Sequence, residues 1–130
     1  MRLISVLFIV FCSLLPIQAQ QEIDPFISES LLKGDAATLA SFFNENVELV
    51  IGSTNDVFSK KQATGIVADF FRRNKVLSYQ ILHKGTKENS AFTIGTIRTS
   101  TGNFRVYVLV RRVVNEKQLI QQLRIETSND

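Results

Sequence analysis

The 130-residue chain carries a single histidine, His83, and with it one side chain whose ordinary pKa lies near neutrality. Such an imidazole can act as a general base when polar neighbours orient it and receive the proton. In an extended strand Leu77, Tyr79, Ile81 and His83 alternate onto one face, which brings the Tyr79 hydroxyl into the same region. Asp69 is the one carboxylate beside the apolar stripe of the preceding helical pattern, spaced for an ion pair with Arg73 one turn later. His83, Tyr79 and Asp69 are thus the candidate catalytic set, suited to proton transfer in a small isomerase or hydrolase. No acid adjoins His83 in sequence, which favours a histidine at a sheet edge over a catalytic one. Metal chemistry lacks its ligands, because the chain has one histidine, one cysteine and no close group of carboxylates. Glycines flank no nucleophile-elbow serine and form no Gly-Xaa-Gly phosphate loop. No metal or cofactor is expected.

A second group of residues suits binding rather than catalysis. Arg105, Tyr107, Leu109 and Arg111 alternate with Phe104, Val106, Val108 and Val110. Ile120, Gln122 and Arg124 alternate in the same way with Leu119, Gln121, Leu123 and Ile125. Period-two alternation assigns the apolar sets to a core face and the mixed sets to the opposite face of one hairpin. Tyrosine and arginine combine apolar contact area with directional hydrogen bonding, so Arg105, Tyr107, Leu109, Arg111, Gln122 and Arg124 are the candidate surface for a ligand or protein partner. Arg72, Arg73 and Lys75 form the strongest basic run. At the end of a helix they complement its dipole, with anion binding as the alternative.

The elements that must position these residues follow from periodicity and punctuation. Glu22 to Lys33 has helical spacing at Ile23, Phe26, Ile27, Leu31 and Leu32, with Pro25 in its first turn and Gly34 as its stop. Asp35 caps a second helix carrying Ala36, Leu39, Ala40, Phe42 and Phe43, which Asn44 to Asn46 ends. Val47 to Ile51 and Val57 to Phe58 make a short hairpin about the turn Gly52 to Asp56. Ser59 and Gln62 have capping-box spacing for a third helix, Lys60 to Asn74, with the stripe Ala63, Ile66, Val67, Phe70 and Phe71. Four long strands follow, Val76 to Lys84, Ser90 to Ser100, Asn103 to Val113 and Lys117 to Glu126. Their hairpin-length connectors are Gly85 to Asn89, Thr101 to Asn103 and Val114 to Glu116. Three N-terminal helices ahead of such strands indicate an α+β fold, in which the helices pack on one face of a strongly bent antiparallel sheet plus the short hairpin. Gly95, in mid-strand, marks a bend.

Met1 to Ala19 has the form of an export signal. Arg2 supplies the positive start, Leu3 to Leu15 the apolar segment, Pro16 the break and Ala19 the small residue before cleavage. The apolar run is shorter than the roughly 20 residues that span a bilayer, so no stable membrane insertion is expected after cleavage. The bulky Ile9, Val10 and Phe11 argue against lipid attachment at Cys12. Residues 20–130 then form one domain, periplasmic or secreted, and without Cys12 it has no disulfide and rests on its core alone. Removing Arg2 from 15 basic residues leaves 14 against 12 acidic ones, a net charge of +2. That near-balance lacks the clustered positive charge of a nucleic-acid-binding protein.

The element order looks like the cone of the nuclear transport factor 2-like superfamily. Closer motifs are Ser41-Phe42-Phe43-Asn44, Val47-Glu48-Leu49, Ser59-Lys60-Lys61-Gln62-Ala63, Asp69-Phe70-Phe71, His83-Lys84-Gly85, Ile94-Gly95-Thr96, Phe104-Arg105-Val106-Tyr107 and Gln121-Gln122-Leu123-Arg124-Ile125. In this order they resemble an exported bacterial family, domain of unknown function 4783, typical of Bacteroidota. The resemblance spans nearly the whole chain after Ala19. It implies the cone fold, a cell-envelope setting and no assigned reaction. Superfamily members often dimerise through the outer sheet face, so the resemblance also implies a homodimer there. The functional expectation is a non-enzymatic binding module, for a small apolar ligand in the cone or a protein on the sheet. The alternative is the isomerase or hydrolase with His83 as base inside the cone.

Overall fold

The computed structural model describes residues 22–112 and 118–129. The expected signal, Met1 to Ala19, and the expected connector Val114 to Glu116 lie outside them. Helix α1 spans Pro25–Lys33, with Asp24 Oδ1 accepting from the Phe26 amide at 2.9 Å and Gly34 closing the helix in the left-handed region at φ 65°. Helix α2 is the short Ala36–Ala40, capped by Asp35, whose carboxyl is held below the usual range by hydrogen bonds from the side chain and backbone of Thr38. Helix α3 covers Lys60–Arg73, and its full capping box pairs Ser59 Oγ with the Gln62 amide and Gln62 Oε1 with the Ser59 amide, each at 3.2 Å.

Six strands form one sheet. They are β1 (Phe43–Ile51), β2 (Thr54–Ser59), β3 (Val76–Lys87), β4 (Ser90–Thr99), β5 (Gly102–Arg112) and β6 (Gln118–Thr127), in the order β2-β1-β6-β5-β4-β3. The sheet is mixed, against the antiparallel expectation: β1 lies parallel to β6, with Leu49 beside Leu123 and Ile51 beside Ile125. The short hairpin is therefore one end of the main sheet and not a separate ribbon. Phe42 and Phe43 also leave their expected helix. Ser41 caps α2, the Ile120 amide donates to the Phe42 carbonyl at 2.6 Å, and Phe43 opens β1 opposite Ile120. Burying Phe43 under the sheet outweighs extending a five-residue helix, which is marginal by itself. Gly85, expected in a connector, is paired with Phe92 inside β3, and the turn shrinks to Glu88 and Asn89.

The helices cover one face of the sheet. Ile27, Leu31, Leu39, Phe43, Val47, Leu49, Val67, Ile97, Val106, Val108, Ile120, Leu123 and Ile125 fill the space between, none more than 1% exposed. Phe70 stands edge-on to both Phe71 and Phe104 above the end of β5. The segment before α1 is sewn to the sheet by Gln118, which accepts from the Asp24 amide and donates to the Glu22 carbonyl, both at 2.8 Å.

Three single-residue bulges distort the strands. Leu77 and Leu82 are the extra residues of β3 against β4, and Gln121 is the extra residue of β6 against β5. Each adds bend and twist, and each reverses which residues face the helices. After Gln121, Ile120 points into the core, and Leu119 lies opposite Arg111 on the outer face, the reverse of strict alternation. Gly95 meets a related need. The Tyr79 ring lies over it, and a Cβ there would stand 2.7 Å from both Tyr79 Cε1 and the Gln80 carbonyl oxygen. The Tyr79 hydroxyl is buried and makes no hydrogen bond of good geometry; burial pushes its pKa above the usual tyrosine range, and a weak polar contact with the Thr93 side chain offsets part of this.

Two glycines should respond oppositely to alanine. Gly95→Ala forces the new methyl against backbone and should cost roughly 1–3 kcal/mol, whereas Gly65→Ala, in open space on α3, should stabilise by about 0.5–1 kcal/mol; urea midpoints measure both. Tyr79→Phe keeps the ring over Gly95 and removes an unpaired hydroxyl, so it should stabilise by roughly 0.5–1 kcal/mol near neutral pH. The raised native pKa makes the native protein lose stability as pH climbs past the unfolded tyrosine value and through the folded one. Denaturation across that alkaline range should show a smaller loss for Tyr79→Phe.

Candidate functional site

The three candidate catalytic residues do not converge. The Leu82 bulge puts Ile81 opposite Gly95 and His83 opposite Ile94, so Tyr79 and Ile81 face the helices while His83 stands exposed on the outer face. Strict alternation had placed them together. Asp69 sits on α3 and accepts from both Arg72 Nη2 and Arg73 Nη2. Each of the three thus belongs to a different surface, and no base is paired with an orienting group. Among the described residues no group of three or more His, Cys, Asp or Glu side chains is placed to hold a metal ion, and no helix is long and apolar enough to cross a membrane.

The outer sheet face does assemble the expected binding residues. The cross-strand rows run His83–Ile94–Tyr107–Arg124–Val50 and Gly85–Phe92–Leu109–Gln122–Glu48. Arg105 pairs with Glu126 in the row before these two and Arg111 with Leu119 in the row after. Phe92, Ile94, Tyr107 and Leu109 form a half-buried apolar centre in which the Phe92 and Tyr107 rings stack at 6.1 Å. Phe92 can lie flat because Gly85 opposite it has no side chain: a Cβ there would collide with its ring. Beside this centre a groove of about 360 Å³ is lined by Ile94, Arg105, Tyr107, Gln122, Arg124 and Glu126. Glu126 Oε1 accepts from Arg124 Nε at 3.0 Å and Nη2 at 2.8 Å, a two-point contact between two residues that line the groove.

Four of the six residues expected for binding line that groove, and Leu109 and Arg111 continue the same strand. Phe92, Ile94 and Glu126 are additions that residue type alone did not single out. Their signal is register: each lies directly across the ladder from Leu109, Tyr107 or Arg105.

The match to a family model covers residues 25–126, described as domain of unknown function DUF4783. A DUF4783 protein from Bacteroides ovatus is 34% identical, with a TM-score of 0.79 over 85% of this chain and 99% of that one. One from Bacteroides fragilis is 38% identical, with a TM-score of 0.76 over 82% and 99%. A protein of the NTF2-like family from Streptomyces avermitilis, 14% identical, has a TM-score of 0.58 over 82% and 91%, a likeness of fold alone. No curated protein is detectably similar in sequence. Six curved strands under three helices are the NTF2-like cone, and a family match that runs from α1 to the end of β6 makes this chain a member of the DUF4783 family.

Proposed function

We propose that the chain is an exported, non-enzymatic binding module of the cell envelope, whose outer sheet face receives a protein partner. The observation that carries this reading is the groove and apolar centre just described, a face built around stacked Phe92 and Tyr107 that no other described element covers. Aromatic side chains flanked by arginine are what buried interface centres are enriched in. Among the described strand residues, Arg98, Arg105, Arg111 and Arg124 share this face with two carboxylates, Glu48 and Glu126. A second copy docked face to face would set arginine against arginine. A different protein presenting carboxylates around an apolar patch complements the face better.

A photo-crosslinking residue at Leu109, in cells that export the protein, should yield one heterologous adduct that the same residue at Thr64 on α3 does not. Tyr107→Ala should weaken the captured complex by about 30-fold, the loss of one aromatic anchor. Raising salt should slow its association. An adduct of twice the protein's own mass would assign the face to a homodimer, and equal labelling from Thr64, or none from Leu109, would remove the reading altogether.

A further inference from the structure

A second opening lies away from the outer face, between the β1–β2 turn and the last turns of α3. It is a cleft of about 370 Å³ lined by Ile51, Gly52, Ser53, Thr54, Ile66, Asp69, Phe70, Arg73, Asn74 and Phe104. Its lining divides by chemistry. Ile51, Ile66, Phe70 and Phe104 make an apolar floor in which the last two rings meet edge-on at 5.1 Å. The rim is polar, with Arg73 and Asn74 on the helix side and the hydroxyls of Ser53 and Thr54 on the turn side.

The rim is also short of negative charge. Asp69 is the only carboxylate among the described residues lining the cleft, and it is shared between Arg72 and Arg73, so the trio keeps one net positive charge. A helix C-terminus ordinarily repels anions. Here the Phe70 carbonyl is already occupied by the backbone amide and the side-chain amide of Asn74, each at 2.9 Å. Asn74 Oδ1 in turn accepts from Thr101, which holds that side chain in place. No described residue hydrogen-bonds the Ser53 or Thr54 hydroxyl, which leaves both able to donate to an incoming oxygen. The volume falls at the small end of known ligand sites.

We propose that this cleft binds a small amphipathic carboxylate, its hydrocarbon part on the Ile51, Ile66, Phe70 and Phe104 floor and its charged end at Arg73. The site is separate from the outer face and does not depend on a protein partner there. Octanoate and octanol are probes of equal chain length that differ in charge. Titrated into methyl-labelled protein and followed by NMR, octanoate should shift the Ile51 and Ile66 methyls saturably, and octanol should bind about tenfold more weakly. Arg73→Gln, a change at an exposed helix end, should cost octanoate about tenfold and leave octanol unchanged, with an unaltered spectrum elsewhere showing that the fold is intact. Asp69→Asn should tighten octanoate by freeing both guanidinium groups. Equal binding of the two probes, indifference of octanoate to Arg73→Gln, or shifts that map away from Ile51 and Ile66 would each overturn the proposal.

Discussion

A long antiparallel sheet cannot stay regular and also wrap around three helices, and the rest of this structure depends on how that conflict is resolved. Leu77, Leu82 and Gln121 are each inserted into a ladder as an unpaired residue, and Gly95 gives up its side chain so that Tyr79 can lie across the bend. With the strands bent, Ile97, Val106, Val108 and Leu123 all reach the helices and are sealed from water. Burial of each large side chain contributes roughly 1.5–3 kcal/mol, and the described part of the chain contains no cysteine to supplement that. Curvature is therefore the condition for stability as well as for shape.

The second long-range requirement is the parallel contact of β1 with β6, which joins the first strand of the sheet to the last. It is irregular at its start: Phe43 pairs with Ile120, the next pair is Glu48 with Gln122, and the slack on β1 is much the larger. Asn44 and Gln121 face each other across this gap, with Asn44 Nδ2 donating to Gln121 Oε1 at 3.4 Å. The same Gln121 is the bulge against β5, so one residue absorbs the mismatch on both sides of β6. That is why Leu119 and Ile120 exchange faces while Gln122 and Arg124, beyond the bulge, keep the faces that alternation assigns them.

What could be read from sequence divides along this line. Helix ends were legible where they depend on neighbours in the chain: Pro25 in the first turn, Gly34, Asp35, and the Ser59–Gln62 box all act within four residues, whereas the Asp24 cap, which starts α1 at Pro25 and not at Glu22, shows only in the structure. The outer face of β5 was legible because β5 carries no extra residue and its alternation from Arg105 to Arg111 is unbroken. His83 was misplaced because one inserted leucine, Leu82, rotates the strand, and nothing in residue type distinguishes a bulged leucine from a paired one. Phe42 and Phe43 were read as helical because their spacing fits α2. The force that pulls them out is pairing with Ile120, far away in the chain, and parallel pairing leaves no local signature. Gly85 was taken for a turn residue, although its role is to leave room for the Phe92 ring.

These irregularities also bear on how the sheet can meet other molecules. Its outermost strands are poor templates for another strand: β3 is interrupted by bulges at Leu77 and Leu82 and ends in Lys84 and Lys87, while β2 has only six residues and carries Asp56. Bulges that bend the sheet inward thus also break up the row of free backbone groups along its edge. The outer face has no comparable protection. Its centre, from Phe92 and Ile94 to Tyr107 and Leu109, is only half-buried, and its arginines stand at the margin, where they do not block approach. A partner that meets this domain therefore has a side-chain surface to pack against and little exposed ladder to extend, which makes face-to-face docking physically more favourable than strand addition.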